Sequence, residues 1–248
     1  MTTYGLLGYP LGHSFSRGFF TDKFQREGID AQYLNFEIPT ADLLLQVLDQ
    51  HPDLRGLNVT LPHKQAVIPY LDELSQEASR IGAVNVIRVR RRADDTTHLK
   101  GFNSDIIGFM DSIRPLLKPH HRRALVLGTG GASKAICVGL EDLGLQWRYV
   151  SRTPREGMYT YDQVTPQLLS EYSVIVNCSP VGMFPHVDES PTIPYQALTP
   201  DHLLFDCVYN PLDTQFMQRG AAQGAVVKNG LEMLHLQALA SWKFWNEE

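Results

Sequence analysis

The chain has 248 residues, room for one large domain or two of ordinary size. Apolar residues make up 43%, charged residues 20%, and the formal net charge is −5. Hydrophobic cores are therefore expected, and a basic nucleic-acid-binding face is not. Cys137, Cys178 and Cys207 are the three cysteines, with no C-x-x-C pair. That argues against a disulfide framework or a zinc site, and no metal is expected. Residues 1–8 lack the basic-then-apolar pattern of a signal peptide. No apolar run approaches the roughly 18 to 20 residues of a membrane span. A cytoplasmic protein without membrane or nucleic-acid partners is expected.

In chain order, residues 4–8 read as a buried strand ending in Gly-Tyr-Pro, and 19–27 as a helix closed by Gly28. Residues 32–38 form the next strand. Thr40 caps a helix with apolar spacing at Leu43, Leu44, Val47 and Leu48. A strand over 56–60 stops at Leu61-Pro62, and 64–81 reads as one long amphipathic helix. Residues 84–90 and 97–101 suggest a hairpin around Ala93-Asp94-Asp95. Its basic run, Arg88, Arg90, Arg91 and Arg92, is answered by Asp94 and Asp95, which favours a solvated turn. Helix is expected over 105–117, followed by a turn at Lys118-Pro119-His120-His121. Further strands are expected at 124–127, 148–150, 174–177, 203–206 and 226–227, with helices at 132–143, 214–223 and 231–245. This alternation favours an α/β fold with largely parallel sheets, divided near 101–105 or 118–123.

Ala124-Leu125-Val126-Leu127 runs into Gly128-Thr129-Gly130-Gly131-Ala132-Ser133 and then a helix. This is the order of a Rossmann dinucleotide turn. Gly128 permits the tight turn. Gly130 removes the Cβ where a pyrophosphate approaches. The helix start offers free N–H groups. A small Ser133 stands where a third glycine is usual. An ordinary strand–helix turn has the same local pattern. The next strand ends at Val150, and Ser151-Arg152-Thr153 follows, with Arg155 nearby. An NAD site usually places Asp or Glu there. A guanidinium suits a 2′-phosphate instead, so the expected cofactor is NADP.

Four stretches in the first half place polar groups at strand ends. In Gly8-Tyr9-Pro10-Leu11-Gly12-His13-Ser14-Phe15-Ser16, an extended backbone would turn Ser14 and Ser16 the same way, as two donors for a carboxylate. One of them could equally cap the next helix. Asn58-Val59-Thr60-Leu61-Pro62-His63-Lys64 places a lysine at an expected helix start, against the dipole. Gly82-Ala83-Val84-Asn85 and Gly101-Phe102-Asn103-Ser104-Asp105 complete the set, with Asp105 also a candidate N-cap.

Taken in order, these stretches resemble the shikimate dehydrogenase family. The resemblance continues through Asn177-Cys178-Ser179-Pro180-Val181-Gly182-Met183, then Asp206-Cys207-Val208-Tyr209-Asn210-Pro211, then the stretch from Asn229-Gly230 to Gln237-Ala238. It covers nearly the whole chain. It implies two α/β domains. One is a mixed-sheet substrate domain, residues 1–102 and 231–248, to which the last helix returns. The other is a Rossmann-like NADP domain, residues 103–230. It implies Lys64 and Asp105 flanking the reacting hydroxyl. Ser14, Ser16, Thr60, Asn85, Tyr209 and Gln237 would bind substrate. Gly128, Thr129, Gly130, Gly131, Ala132, Ser133, Ser151, Arg152, Thr153, Met183, Val208 and Gly230 would bind cofactor. The implied reaction is reversible NADPH-linked reduction of 3-dehydroshikimate to shikimate, in chorismate and aromatic amino acid biosynthesis, by a monomer or homodimer. Arg17, Ser104 and Ser151 depart from the family pattern, which usually has Pro, Thr and Asn there. Residues 157–159 read as loop where the family has a helix, a departure on the adenine side of the site. Rival readings are a quinate or dual quinate/shikimate dehydrogenase, and a non-catalytic NADP-sensing protein. The latter would need the glycine turn and Arg152 but not Lys64 with Asp105.

Overall fold

The structure is a computed structural model and describes residues 1–12, 15–93 and 96–247. His13, Ser14, Asp94, Asp95 and Glu248 lie outside the described residues, and with them the expected role of Ser14 and the tip of the hairpin. The chain divides into two compact units, residues 1–104 with 237–248, and residues 105–236. No helix among the described residues is long and apolar enough to cross a membrane.

The first unit opens with β1 (Thr2–Gly8), α1 (Phe15–Glu27), β2 (Ala31–Glu37), α2 (Leu44–Gln50) and β3 (Leu54–Val59). It continues with β4 (Glu73–Leu74), α3 (Gln76–Ile81), β5 (Val86–Arg91) and β6 (Thr97–Phe102). The sheet order is β2-β1-β3-β5-β6-β4. β1 runs parallel to β2 and β3, while the β5–β6 hairpin pairs antiparallel to β3. The sheet is therefore mixed, with the carboxyl ends of β1 and β3 on one edge.

Three local expectations are corrected. Thr40 makes no side-chain cap; a 3₁₀ turn at Ala41–Leu43 precedes α2. Ser16 lies inside α1 rather than in an extended segment. The helix expected over 64–81 is broken into turns, a 3₁₀ segment at Ile68–Tyr70, β4 and α3. Pro69 has no N–H to continue a helical ladder. Leu71 turns extended, the Asp72 carboxylate accepts from the Leu99 N–H, and a fresh helix starts where Ser75 accepts from the Ala78 N–H. Apolar spacing alone does not register these interruptions.

The second unit holds α4 (Asp105–Ile113), β7 (Arg123–Leu127), α5 (Ser133–Asp142), β8 (Gln146–Ser151), β9 (Tyr159–Thr160) and α6 (Pro166–Glu171). It goes on through β10 (Val174–Asn177), β11 (Leu203–Asp206), α7 (Gln215–Ala221) and β12 (Val226–Lys228). The last helix, α8 (Leu231–Asn246), begins in this unit and ends in the first. The second sheet has the order β12-β11-β10-β7-β8-β9 and is parallel throughout. β7, β10 and β11 are buried on both faces, as their Val/Leu/Ile-rich runs require.

The final turns of α8 close the core of the first unit. Trp245 is 6% exposed and packs against Tyr4, Phe20 and Tyr33. Its ring lies over Gly56, where an added Cβ would fall 2.3 Å from the indole Cδ1. The aromatic cluster thus needs both the large ring and the bare glycine. Trp245→Ala is expected to destabilise the protein by about 3–5 kcal/mol in urea denaturation. A loss below about 1 kcal/mol would mean that the last helix is not part of this core.

Candidate active site

In a parallel sheet every strand delivers its carboxyl end to one edge, where open α/β sheets place their ligands. In the second unit that edge holds a cavity of about 920 Å³, lined by residues that follow β7, β8 and β10. Gly128 leaves β7 with φ of 95° and donates its N–H to the Val150 carbonyl at 2.9 Å. A Cβ there would lie 3.1 Å from Ser179 Cβ, so the protein's own turn requires glycine. Gly130 differs. An added Cβ would meet only the Cys178 carbonyl oxygen, at 3.6 Å. Its bareness serves open space in the cavity rather than internal packing. Thr129 also lines the cavity, whereas Gly131, Ala132 and Ser133 stand outside its lining. Ser133 is fully buried and donates to the Gly130 carbonyl at 2.7 Å, closing the turn onto α5.

Ser151, Arg152 and Thr153 leave β8 along the same cavity, with Arg155 beyond them. Residues 157–159, expected as loop, end in β9, where Tyr159–Thr160 pairs parallel with Val150–Ser151. A 3₁₀ turn with a Thr160–Gln163 capping box follows and brings Tyr161 into the cavity wall. Burial pushes the Tyr161 phenol up in pKa, and the Arg152 guanidinium beside it opposes the shift. The wall facing Gly128 comes from Ser179, Pro180 and Val181. Sequence reasoning misses Tyr161 and Ser179. An aromatic after a two-residue strand carries no periodic signal, and Ser179 acquires its place only through Asn177.

Asn177 and Asp206 are fully buried and stand opposite each other in the register of β10 and β11. Asn177 Nδ2 donates to Asp206 Oδ1 at 3.0 Å. Asn177 Oδ1 accepts from the Ser179 N–H at 3.0 Å and the Ser179 hydroxyl at 2.6 Å. Asp206 also accepts from the Val208 N–H at 3.0 Å and the Thr214 hydroxyl at 2.6 Å. Val208 in turn accepts from the Gly230 N–H at 3.1 Å. A Cβ on Gly230 would lie 2.3 Å from the Cys207 carbonyl oxygen, so the strand end and the start of α8 are in close contact. Val208 and Gly230 are brought together in this way, outside the lining of the 920 Å³ cavity. Met183 and Tyr209 are exposed at 44% and 37%.

In the first unit, Thr60, Lys64, Asn85, Ser16 and Gln237 come from separate segments. The Thr60 N–H donates to the Leu7 carbonyl, and the Lys64 carbonyl accepts from the Val84 N–H at 2.7 Å. Asn85 is 5% exposed; its Oδ1 accepts from the Ser104 N–H at 2.7 Å, and its Nδ2 donates to Ser104 Oγ at 3.1 Å. Lys64 is half-buried. The neighbouring His63 is buried, with Nε2 2.7 Å from the Ile38 carbonyl oxygen, and so is a structural residue. Asp105 opens α4 in the second unit and is 4% exposed.

The fold and the cavity define a two-unit protein with a dinucleotide-type site at the edge of a parallel sheet. A family model described as the shikimate dehydrogenase substrate binding domain matches residues 6–87. An NADP(+) shikimate dehydrogenase of Desulforamulus reducens is 34% identical, over 97% of this chain and 88% of its own. A solved chorismate mutase/shikimate 5-dehydrogenase fusion protein from Clostridium acetobutylicum superposes with a TM-score of 0.85 at 34% identity, covering 99% of this chain and 91% of that one. The Thermus thermophilus shikimate 5-dehydrogenase, solved in complex with NADP(H) and shikimate, gives 0.84 at 31% identity, covering 99% and 94%. The chain belongs to the shikimate dehydrogenase family.

Burial raises the Asp206 carboxyl from its ordinary 3.8 to about 6, against the bonds from Thr214, Val208 and Asn177. Between about pH 4 and 6 the folded protein therefore keeps a proton that the unfolded chain releases. The stability this group contributes is complete below about pH 4 and is lost as pH rises through about 6. Asp206→Asn removes that dependence. The stability difference, parent minus variant, should shrink by about 1–3 kcal/mol from pH 4 to pH 7 in urea titrations. A difference that stays constant or grows would contradict a buried carboxyl of raised pKa.

Proposed function

We propose that this chain is an NADP-dependent shikimate dehydrogenase, interconverting 3-dehydroshikimate and shikimate in chorismate and aromatic amino acid biosynthesis. The observation that carries the cofactor half of the reading is the cavity with a glycine lip at Gly128–Gly130 and an arginine edge at Arg152 and Arg155. A pyrophosphate fits where Gly130 lacks a side chain, and a 2′-phosphate fits where β8 is followed by Arg152 rather than a carboxylate. Tyr161 supplies a flat wall on the adenine side. Val208, Gly230 and Met183 are assigned to the nicotinamide end. When bound, the nicotinamide accepts or donates the hydride.

The first unit is assigned the substrate. Ser14 and Ser16 bind its carboxylate, and Thr60, Asn85, Tyr209 and Gln237 its remaining polar groups. Lys64 manages the proton. In oxidation it takes the proton from the hydroxyl that becomes a ketone. In reduction it returns that proton to the developing alkoxide and stabilises the negative charge. Asp105 is assigned the second catalytic position, as the family resemblance implies. The presence of both Lys64 and Asp105 favours an enzyme over an NADP-sensing protein. Every residue invoked comes from one chain, so a monomer or a homodimer suffices. A cytoplasmic setting, where thiols stay reduced, suits Cys178 and Cys207, which are free thiols with the Cys207 thiol donating to Cys178 Sγ at 3.9 Å.

Lys64→Ala should lower turnover by roughly 10²–10⁴ while NADPH binding stays within about twofold. Activity surviving within a few-fold would remove Lys64 from the chemistry. Arg152→Ala should weaken NADPH by about ten- to a hundredfold and NADH far less, as expected for one lost charged hydrogen-bond pair. Equal loss of both nucleotides in fluorescence titration would contradict the 2′-phosphate assignment.

A further inference from the structure

Ser241, on the buried face of α8, has no role in the reading above. A serine inside a helix commonly returns its hydroxyl to the carbonyl four residues back. Ser241 does so, donating to the Gln237 carbonyl at 2.8 Å. It is also 1% exposed and makes two further contacts. Asn58 Nδ2 donates to its oxygen at 2.8 Å, and Ser104 Oγ lies 3.3 Å away. A hydroxyl has one proton to give and two lone pairs to accept with. With the proton committed to Gln237, the oxygen accepts from Asn58 and keeps a lone pair facing Ser104 Oγ, whose own hydroxyl proton is shared between Ser241 and Asn85 Oδ1.

Each partner leads to a group assigned to the substrate. Ser104 accepts from Asn85 Nδ2 and returns its own N–H to Asn85 Oδ1. Asn58 Oδ1 accepts from the Tyr33 hydroxyl at 2.8 Å, and the Ser16 side chain lies beside the same phenol, where it opposes the rise that burial imposes on its pKa. Gln237 sits one turn before Ser241 on α8. The network crosses an otherwise apolar core of Phe20, Val86, Phe102 and Trp245. In such surroundings a polar chain rigidifies its members only when each is satisfied.

We infer that Ser241 is a positioning residue of the substrate site, fixing Gln237, Asn85 and, through Asn58 and Tyr33, Ser16 in one arrangement. This rests on the substrate reading given above. Ser241 touches no substrate. It sets how closely residues from α1, the segment just before β5 and α8 are held together before substrate arrives, so its loss weakens binding rather than chemistry.

The test is steady-state kinetics of Ser241→Ala and Tyr33→Phe, which perturb opposite ends of the network, beside NADPH titration and thermal melting. Both should raise the KM for shikimate, Ser241→Ala by about 5- to 30-fold, with kcat within about threefold. NADPH affinity should stay within about twofold, because the network lies wholly in the first unit. Ser241→Thr, which keeps the hydroxyl, should return KM toward the parent value. A lowered melting temperature with unchanged KM in Ser241→Ala would overturn the proposal and leave Ser241 a structural residue. KM and NADPH affinity weakening together would also overturn it. If Ser241→Ala does not fold, an unchanged KM in Tyr33→Phe decides against it. A parent enzyme with no rate on shikimate would remove the functional reading, and the proposal with it. An active parent beside an unaffected Ser241→Ala would remove the proposal alone.

Discussion

Asn177 and Asp206 meet at the carboxyl ends of β10 and β11, and the cavity edge of the second unit is organised around that contact. From Asn177 the restraint passes to Ser179, and from Ser179 to Gly128, whose turn leaves no room for a Cβ. From Asp206 it passes to Val208, to Gly230 and to the first turn of α8. Through Thr214, which also accepts from the Met217 N–H, it reaches the cap of α7. A carboxylate placed in a core costs free energy unless its oxygens are bonded. Here three donors, from Asn177, Val208 and Thr214, offset part of that cost, and burial still outweighs them, as the raised pKa of the carboxyl records. The same bonds that reach Asp206 tie together the segments at the carboxyl ends of β10 and β11.

The first unit follows a related logic with neutral groups. Its strand ends carry Thr60, Asn58 and Asn85, and the segment after β6 carries Ser104. The returning helix α8 closes the cluster with Ser241, while Trp245 and Phe244 supply apolar packing against Tyr4 and Phe102. Polar groups at the centre of this core set the arrangement, and the aromatic surroundings keep water from competing for it. Both units thus depend on α8. Its first turn rests on Val208 through Gly230, and its last turns fill the aromatic core.

Much of this is legible in the sequence. The bounds of β10 and β11 match expectation because short apolar strands buried on both faces stand out between polar neighbours. The glycine turn is legible because strand, turn and helix occur in a fixed order. What the sequence hides is local. The segment 64–81 has helical spacing, yet Pro69 and the Ser75 cap cut it, and periodicity does not see hydrogen-bond partners 27 residues away such as Asp72 with Leu99. Ser16 reads as extended, although its helix starts one residue earlier. The short stretch 155–165 shows no element in its sequence pattern. A two-residue strand pairing and a capped turn still deliver Tyr161 to the cavity. Asn177 and Asp206 stand in the motifs, but their pairing follows from register, which no single-strand pattern contains.

The central claim is that the arginine-edged cavity serves an NADP-linked oxidation of one ring acid. The most direct measurement is the initial rate of nicotinamide reduction, followed by absorbance, with shikimate and quinate each paired with NADP⁺ and NAD⁺. The account predicts a kcat/KM for shikimate with NADP⁺ about ten- to a hundredfold or more above the other three pairings, since a lost charged contact or an unmatched polar group each costs about 1.5–3 kcal/mol. Comparable rates with NAD⁺, or a preference for quinate, would contradict it.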